Sequence, residues 1–379
     1  MVIKVARKKS AYRSLVGCSK IIIVMLASVL FLALSSGAGP EKNKLLQEAR
    51  EAMESADPLM GDWQGSWTLD DGTDSGPLVA QVIALGKGTY HTNMNGEFDY
   101  SWPPIVSLDG QLDGGSVQFK GRAEFAGIIL DVQSVIKGKK FSGKFKGRDA
   151  DGQDLSGSFV MEKVVRLSPT LGAKPPGGAI VLFNGKNFDQ WKHIRKTPGP
   201  DSVQWKLLKT GAMEVKPRTG SIITTKKFTD VKLHIEFRTP FMPDARGQGR
   251  GNSGVYLQGR YEVQILDSYG LKGLDNECGG IYKVGPPRVN MCAPPTQWQT
   301  YDITFRAPRF NDSGEKISDA VLTVLHNGVT IHYQVKAPEP TTAAPDRTEA
   351  GPGGIYLQDH GNPVQYRNIW LVELPESSS

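Results

Sequence analysis

Apolar and polar residues alternate with a period of two through most of this chain, and only one short stretch shifts to a helical period. In 41–56, Leu45, Leu46, Ala49, Ala52, Met53 and Ala56 recur at helical spacing, which predicts a short amphipathic helix ended by Pro58. Helix and connector together occupy 39–60. From 61 to 166 the pattern becomes short alternating runs broken by glycine and aspartate turns: LVAQVIAL, GTYHTNM, SVQFKGRAEF, GIILDVQSVI, KFSGKFKG and SGSFVMEKV. Such spacing predicts an antiparallel meander closing into a small barrel or sandwich. A Pro/Gly-rich stretch at 167–178 reads as a linker. A second β-rich region fills 179–375. In KLHIEFR, Leu233, Ile235 and Phe237 point one way and His234, Glu236 and Arg238 the other. No helical stretch there is long enough for a βαβ crossover, which excludes a doubly wound nucleotide fold. The expected class is all-β: a C-terminal two-sheet antiparallel sandwich preceded by a smaller antiparallel meander or barrel.

The first 38 residues change how the charge is read. Lys4, Arg7, Lys8, Lys9, Arg13 and Lys20 precede an apolar run from Ile21 to Leu34, and small residues follow to Ala38. That order is the layout of a secretory signal peptide, so 1–38 is expected to direct export to the periplasm, outer surface or medium, with cleavage after Ala38. Left uncleaved, the same run would anchor the chain to a membrane. The whole chain carries a net charge of +6, and these 38 residues hold six basic side chains and no acid, so the remainder is neutral. The basic balance belongs to the leader and gives no reason to expect a nucleic-acid partner.

Several local patterns carry little chemistry. Gly61-Asp62-Trp63-Gln64-Gly65 resembles the Gly-x-Trp opening of lipocalin-like barrels, a pattern many strands share. Asp149, Asp151 and Asp154 surround Gly152 without the later glutamate of a calcium loop. Gly247-Gln248-Gly249-Arg250-Gly251 looks like a phosphate loop but leads into a strand, so no helix dipole backs it. Cys18 lies in the leader. Cys278 and Cys292 suit either a disulfide or two buried thiols.

One internal echo stands out: Gly254-Val255-Tyr256-Leu257-Gln258 recurs as Gly354-Ile355-Tyr356-Leu357-Gln358. Two strands in similar surroundings explain it, as do two strand ends delivering polar groups to one cleft. In the strand after the first copy, Tyr261, Val263 and Ile265 share one face. Glu262 and Gln264 share the other, about 7 Å apart. A carboxylate and an amide projecting together suit sugar hydroxyls. A one-residue bulge would return Asp267 to the face of Glu262. Glu262 to Asp267 resembles the Glu-x-Asp-x-x-Glu strand of laminarinase-type glycosidases, but Gln264 replaces the middle acid. A retaining glycosidase needs two carboxyls roughly 5–5.5 Å apart, so double displacement is not expected. After the second copy, Asp359-His360 ends a strand, and His360 is the histidine best placed as a proton carrier. His234 and His332 alternate on strands, while His326 opens the Asn327-Gly328 turn and is expected to be exposed. Arg367 and Asn368 on the return strand, and Arg250 and Asn252 in the glycine-rich loop, are placed to reach the same cleft.

These motifs together resemble the 3-keto-disaccharide hydrolase family. Leu182-Phe183-Asn184-Gly185-Lys186 with Trp191 is similar to its opening, and GNSGVYLQGRYEVQILDSYG (Gly251 to Gly270) matches its central stretch. CGGIY (Cys278 to Tyr282), WQTYDITFRAPRF (Trp298 to Phe310), HNGV (His326 to Val329) and LQDHGNPVQYRNIW (Leu357 to Trp370) follow in order. Gly280 departs from the family's usual alanine. The resemblance covers the second β-region and leaves the first outside. It implies a concanavalin A-like sandwich that cleaves glycosides already oxidised at C3, and hence an upstream sugar 3-dehydrogenase. A C3 ketone acidifies the C2 hydrogen, so a base removes it, the C1 substituent leaves and water adds back. Glu262 and His360 are the base and acid candidates, in an order left open, with Asp267 beside them. Arg250, Arg367 or a divalent metal ion would hold the enolate, the metal ligated by Glu262, Asp267 and His360. Arg250, Asn252, Tyr256, Gln264, Tyr282, Asp359 and Arg367 are the expected substrate contacts. A carbohydrate-binding envelope protein without catalysis, and an adhesion or structural protein, are the alternatives.

Overall fold

The computed structural model describes residues 39–99, 103–194 and 202–375; the expected leader, with its cleavage site and Cys18, lies outside them. A helix, α1 (Pro40–Ala56), buries Ala49 and Met53 on its apolar stripe. Eight strands follow: β1 (Gly61–Leu69), β2 (Ser75–Ala84), β3 (Thr89–Asn95), β4 (Val106–Asp113), β5 (Ser116–Phe125), β6 (Ile128–Lys137), β7 (Lys140–Arg148) and β8 (Asp154–Val164). Each pairs antiparallel with the next, and β8 returns to β1, which closes the barrel and leaves no sheet edge. Trp63 meets the Phe141 ring edge-on at 5.8 Å, and Phe119 and Phe159 pack on the same ring at 5.6 and 5.7 Å. The alternating residues of the meander thus fill the barrel with side chains.

The remaining strands form the sandwich: β9 (Ile180–Phe183), β10 (Trp191–Ile194), β11 (Lys206–Leu207), β12 (Met213–Glu214), β13 (Ser221–Thr224), β14 (Val231–Arg238), β15 (Ser253–Leu257), β16 (Tyr261–Ile265), β17 (Gln299–Arg306), β18 (Arg309–Phe310), β19 (Lys316–Ser318), β20 (Ala320–His326), β21 (Val329–Ala337), β22 (Tyr356–Leu357) and β23 (Gln365–Glu373). One sheet runs β10-β13-β22-β15-β16 and the other β11-β12-β23-β14-β17-β20-β21, with β9 beside β23. Leu233, Ile235 and Phe237 meet Val255, Val263 and Leu357 in the core between them. The described residues are all-β apart from one helix and a short 3-10 turn, as the alternation predicts.

The segment read as a linker is held against the sandwich. The outward row of β14 carries His234 and Glu236, which must find partners once covered. Gly172 N donates to Glu236 Oε1 (2.7 Å), Thr170 Oγ1 to Asp302 Oδ2 (2.7 Å), and Asn368 Nδ2 to Ala173 O (2.9 Å). Barrel and sandwich also share buried contacts, and from Leu46 onward the chain is one compact unit. Tyr269 Oη donates to Asp62 Oδ1 (2.7 Å), whose other oxygen accepts from Arg166 Nε (2.7 Å). Asn93 Nδ2 donates to Gly270 O (2.7 Å), and Ile83 of the barrel belongs to the sandwich core.

Candidate active site

The five-stranded sheet sets the site by parity. Val255, Leu257, Val263, Ile265 and Leu357 enter the core, so Asn252, Tyr256, Glu262, Gln264 and Tyr356 face the other way. The echoed segments prove to be neighbouring antiparallel strands, with Tyr256 opposite Tyr356 and also opposite Glu262. The two strands therefore share an environment, and both tyrosines turn to one polar face. Their rings meet edge-on at 5.0 Å.

Glu262 is the centre of that face. It is only 2 % exposed, and its Oε2 has no hydrogen-bond partner. Burial pushes its carboxyl up to about 7, against the opposing pull of the Tyr256 phenol. Gln358 Nε2 donates to Tyr256 Oη (3.0 Å), so a short chain of polar groups orients the carboxylate. Gly254 lies beneath it, where a Cβ would collide with Glu262 Oε1 and displace the carboxyl. Beyond Glu262, Gln264 Nε2 and Asn252 Nδ2 both donate to Gln248 Oε1, at 3.2 and 3.0 Å. Asn252 Oδ1 is a second buried acceptor without a partner. Along the open edge of β16, Gln264 N donates to Gly280 O (2.9 Å) and Tyr282 N to Glu262 O (3.2 Å). That turn brings the Tyr282 ring close enough to act on Tyr256. Its unusual glycine follows from the close approach: a Cβ on Gly280 would sit 2.6 Å from Asp275 O.

Asp267, Arg250, Arg367, Asn368 and Asp359 are engaged by other partners. Asp267 pairs with Arg250, Oδ2 to Nε at 2.6 Å, fully inside the protein. Ile265 and Leu266 both enter the core, so alternation does skip one residue before Asp267. The carboxylate is nevertheless taken by the guanidinium, and neither group of the pair is left to meet an enolate. Arg367 is on the far side of the core, on the outer face of the other sheet, where its Nε binds Glu236 Oε2 at 2.6 Å. Parity along β23 decides this, because Tyr366 faces the core and Arg367 cannot. Asn368 also turns to that far face, donating to Glu236 Oε1 (2.8 Å). Asp359 ties two turns together, its Oδ2 accepting from Thr219 N (2.9 Å) and Gly220 N (3.0 Å). His360 follows it on the surface, exposed and two residues beyond Gln358.

The proposed metal set does not assemble. Asp267 is committed to Arg250, whose charge repels a cation, and among the described residues no three His, Cys, Asp or Glu side chains converge on a metal position. Nor does a second carboxylate act on Glu262, whose shift is accounted for by burial and Tyr256. His326 corrects a further expectation. It is fully buried, its Nε2 bonded to Gln299 Oε1 (2.9 Å), and burial lowers its pKa to about 3. Ala320, Leu322, Val324 and His326 alternate inward on β20, so the strand carries the histidine into the interior before the turn begins. Cys278 and Cys292 are free buried thiols.

A second polar cluster escaped the sequence reading. His234 Nδ1 lies 2.7 Å from Asp302 Oδ1 and its ring stacks on Trp370 at 4.9 Å. Burial disfavours its charge, but Asp302 and Glu236 outweigh burial and raise its pKa. Closed over by 168–173, this network holds structure together. On the Glu262 face, Gln248 and Tyr356 were not singled out, although the echo named the strand that carries Tyr356.

A family model, described as the 3-keto-alpha-glucoside-1,2-lyase-like domain, matches residues 178–372, just over half of the chain. A candidate glycosyl hydrolase from Parabacteroides distasonis is 36% identical over 52% of this chain and 85% of its own, with a TM-score of 0.48. A second from the same organism is 22% identical over 52% and 95%, with a TM-score of 0.38. No curated protein matches. The matched region is the sandwich that carries the buried glutamate, and the chain belongs to the 3-keto-alpha-glucoside-1,2-lyase-like domain family.

Proposed function

We propose that the sandwich cleaves 3-keto-glycosides by elimination and hydration. The observation that carries this reading is the buried carboxyl of Glu262, its pKa raised to about 7, with one oxygen unpartnered and no second acid acting on it. Such a group suits proton abstraction at pH 7 and not double displacement. Glu262 takes the C2 proton, and the electron pair becomes the enolate of the C3 ketone. The enolate reforms the ketone, C1=C2 forms and the C1–O bond breaks, with His360 giving the departing oxygen its proton. Water then adds at C1 and C2 regains a proton. Gln248, Asn252 and Gln264 supply contacts for sugar hydroxyls, and Tyr356 and Gln358 replace Arg250 and Arg367 as enolate donors. Such a substrate requires a sugar 3-dehydrogenase acting first, and the leader pattern at 1–38 supports export.

Turnover of a 3-keto-disaccharide panel in D2O, followed by NMR, tests this. The expected result is cleavage with deuterium at C2, little action on the unoxidised sugars, and a loss of about 10²-fold in His360→Ala. Equal rates on oxidised and unoxidised sugars without C2 exchange would refute the mechanism. Sugar binding without turnover would select a lectin instead.

A further inference from the structure

We propose that the barrel is a positioning element of the cleft: its β2–β3 hairpin holds the 243–252 loop that brings Gln248 and Asn252 to the Glu262 face. The proposal rests on reading that face as the substrate cleft. The loop touches both places. At its start, Arg246 Nη2 donates to Leu85 O (2.6 Å), and Asp244 lies against Gly86 so closely that a Cβ on the glycine would collide with the aspartate carboxylate. Gly86 sits at φ +84° in the tight turn closed by Thr89 N to Gly86 O (2.9 Å). Farther on, Arg250 spans the junction, with Nε on Asp267 and Nη2 directed at Ala84 O (3.4 Å). At its cleft end, Gln248 gathers Gln264 and Asn252 and donates to Asn276 O (2.7 Å).

The physical need follows from composition. Gly247, Gly249 and Gly251 lose more conformational freedom on ordering than other residues would. Inside the loop, short turns such as Gly249 N to Arg246 O (3.1 Å) and Arg250 N to Gly247 O (3.1 Å), with Asn252 Nδ2 on Gln248 O (2.8 Å), offset part of that loss. The sandwich holds the later part of the loop, through Asp267 on Arg250 and Asn362 on Asn252 N (2.7 Å), and the barrel carbonyls of Ala84 and Leu85 with the close face of Gly86 hold its start. A shift of the loop moves Gln248, and with it the hydrogen bonds that aim Gln264 and Asn252.

Two matched substitutions separate this role from general stability. Gly86→Leu and Gly152→Leu each force a side chain into a left-handed turn of the barrel, at φ +84° and +80°. Gly152 faces open space, whereas Gly86 faces Asp244. In the full chain, Gly86→Leu should lower kcat/KM for a 3-keto-disaccharide about tenfold or more, mainly through KM, relative to Gly152→Leu. It should also speed amide exchange across 247–252, and Asp244→Gly in the same chain should restore both. Arg246→Ala should speed the same exchange should Gly86→Leu fail to fold. Equal effects in the two leucine variants, or protection of 247–252 left unchanged by Gly86→Leu or Arg246→Ala, would overturn the proposal. Should the wild-type protein not turn over the sugar, the functional reading falls and the exchange arm alone decides the barrel's role.

Discussion

Glu262→Gln should remove activity and stabilise the protein in the same experiment. Burial moves this carboxyl from the ordinary 4.5 to about 7. At about 1.4 kcal/mol for each tenfold change in proton affinity, that is about 3 kcal/mol. The sign follows from which state holds the proton. Below pH 4.5 both states are protonated and the group costs nothing. Between 4.5 and 7 the unfolded chain ionises while the folded protein keeps its proton, so stability falls with rising pH. Above 7 the full penalty is present. Glutamine cannot ionise and still accepts from Tyr256, so the variant should match wild type near pH 4 and exceed it by about 3 kcal/mol at pH 8. With an unfolding entropy of roughly 2 cal/mol/K per residue, this raises Tm by about 4 °C for a unit of this size. Activity should fall about 10²-fold or more, as expected for loss of a general base. Thermal melts at pH 4 and 8 beside kcat/KM on a 3-keto-disaccharide check both arms. A variant that loses activity but is no more stable at pH 8 would mean that Glu262 is not a strained, buried acid.

Three further outcomes follow from the same geometry. Tyr256→Phe removes the hydrogen bond that holds the Glu262 pKa down, so the lower limb of the kcat/KM profile should move from about 7 to higher pH; an unmoved limb would dissociate the phenol from the base. Arg250→Met leaves Asp267 charged and buried, which should cost about 3 kcal/mol or more in urea unfolding, and adding Asp267→Asn should recover much of it. Unfolding without reductant should expose Cys278 and Cys292 to alkylation, and mass spectrometry finding neither labelled would show a bridge.

Alternation along the chain was enough to determine the all-β class, because a period of two buries one face of a sheet and leaves the other wet. It also placed Glu262 and Gln264 on a single face, since residues two apart on a strand share one side; that Tyr256 joins them follows from the pairing of β15 with β16. Even the burial of His326 was legible in the inward row of Ala320, Leu322 and Val324, although the turn signal beside it argued for exposure. What local pattern could not decide was which sheet each strand joins. Arg367 lies nine residues beyond Gln358 in the chain, yet β22 and β23 belong to opposite sheets, so the core separates it from Glu262. Likewise, nothing within Asp267 or its neighbours names Arg250 as its partner, and nothing in 167–178 tells that a buried Glu236 will hold it. A buried charge must be matched by whatever group the folded chain brings beside it, and that match depends on contacts between segments far apart in sequence, which only the tertiary structure supplies.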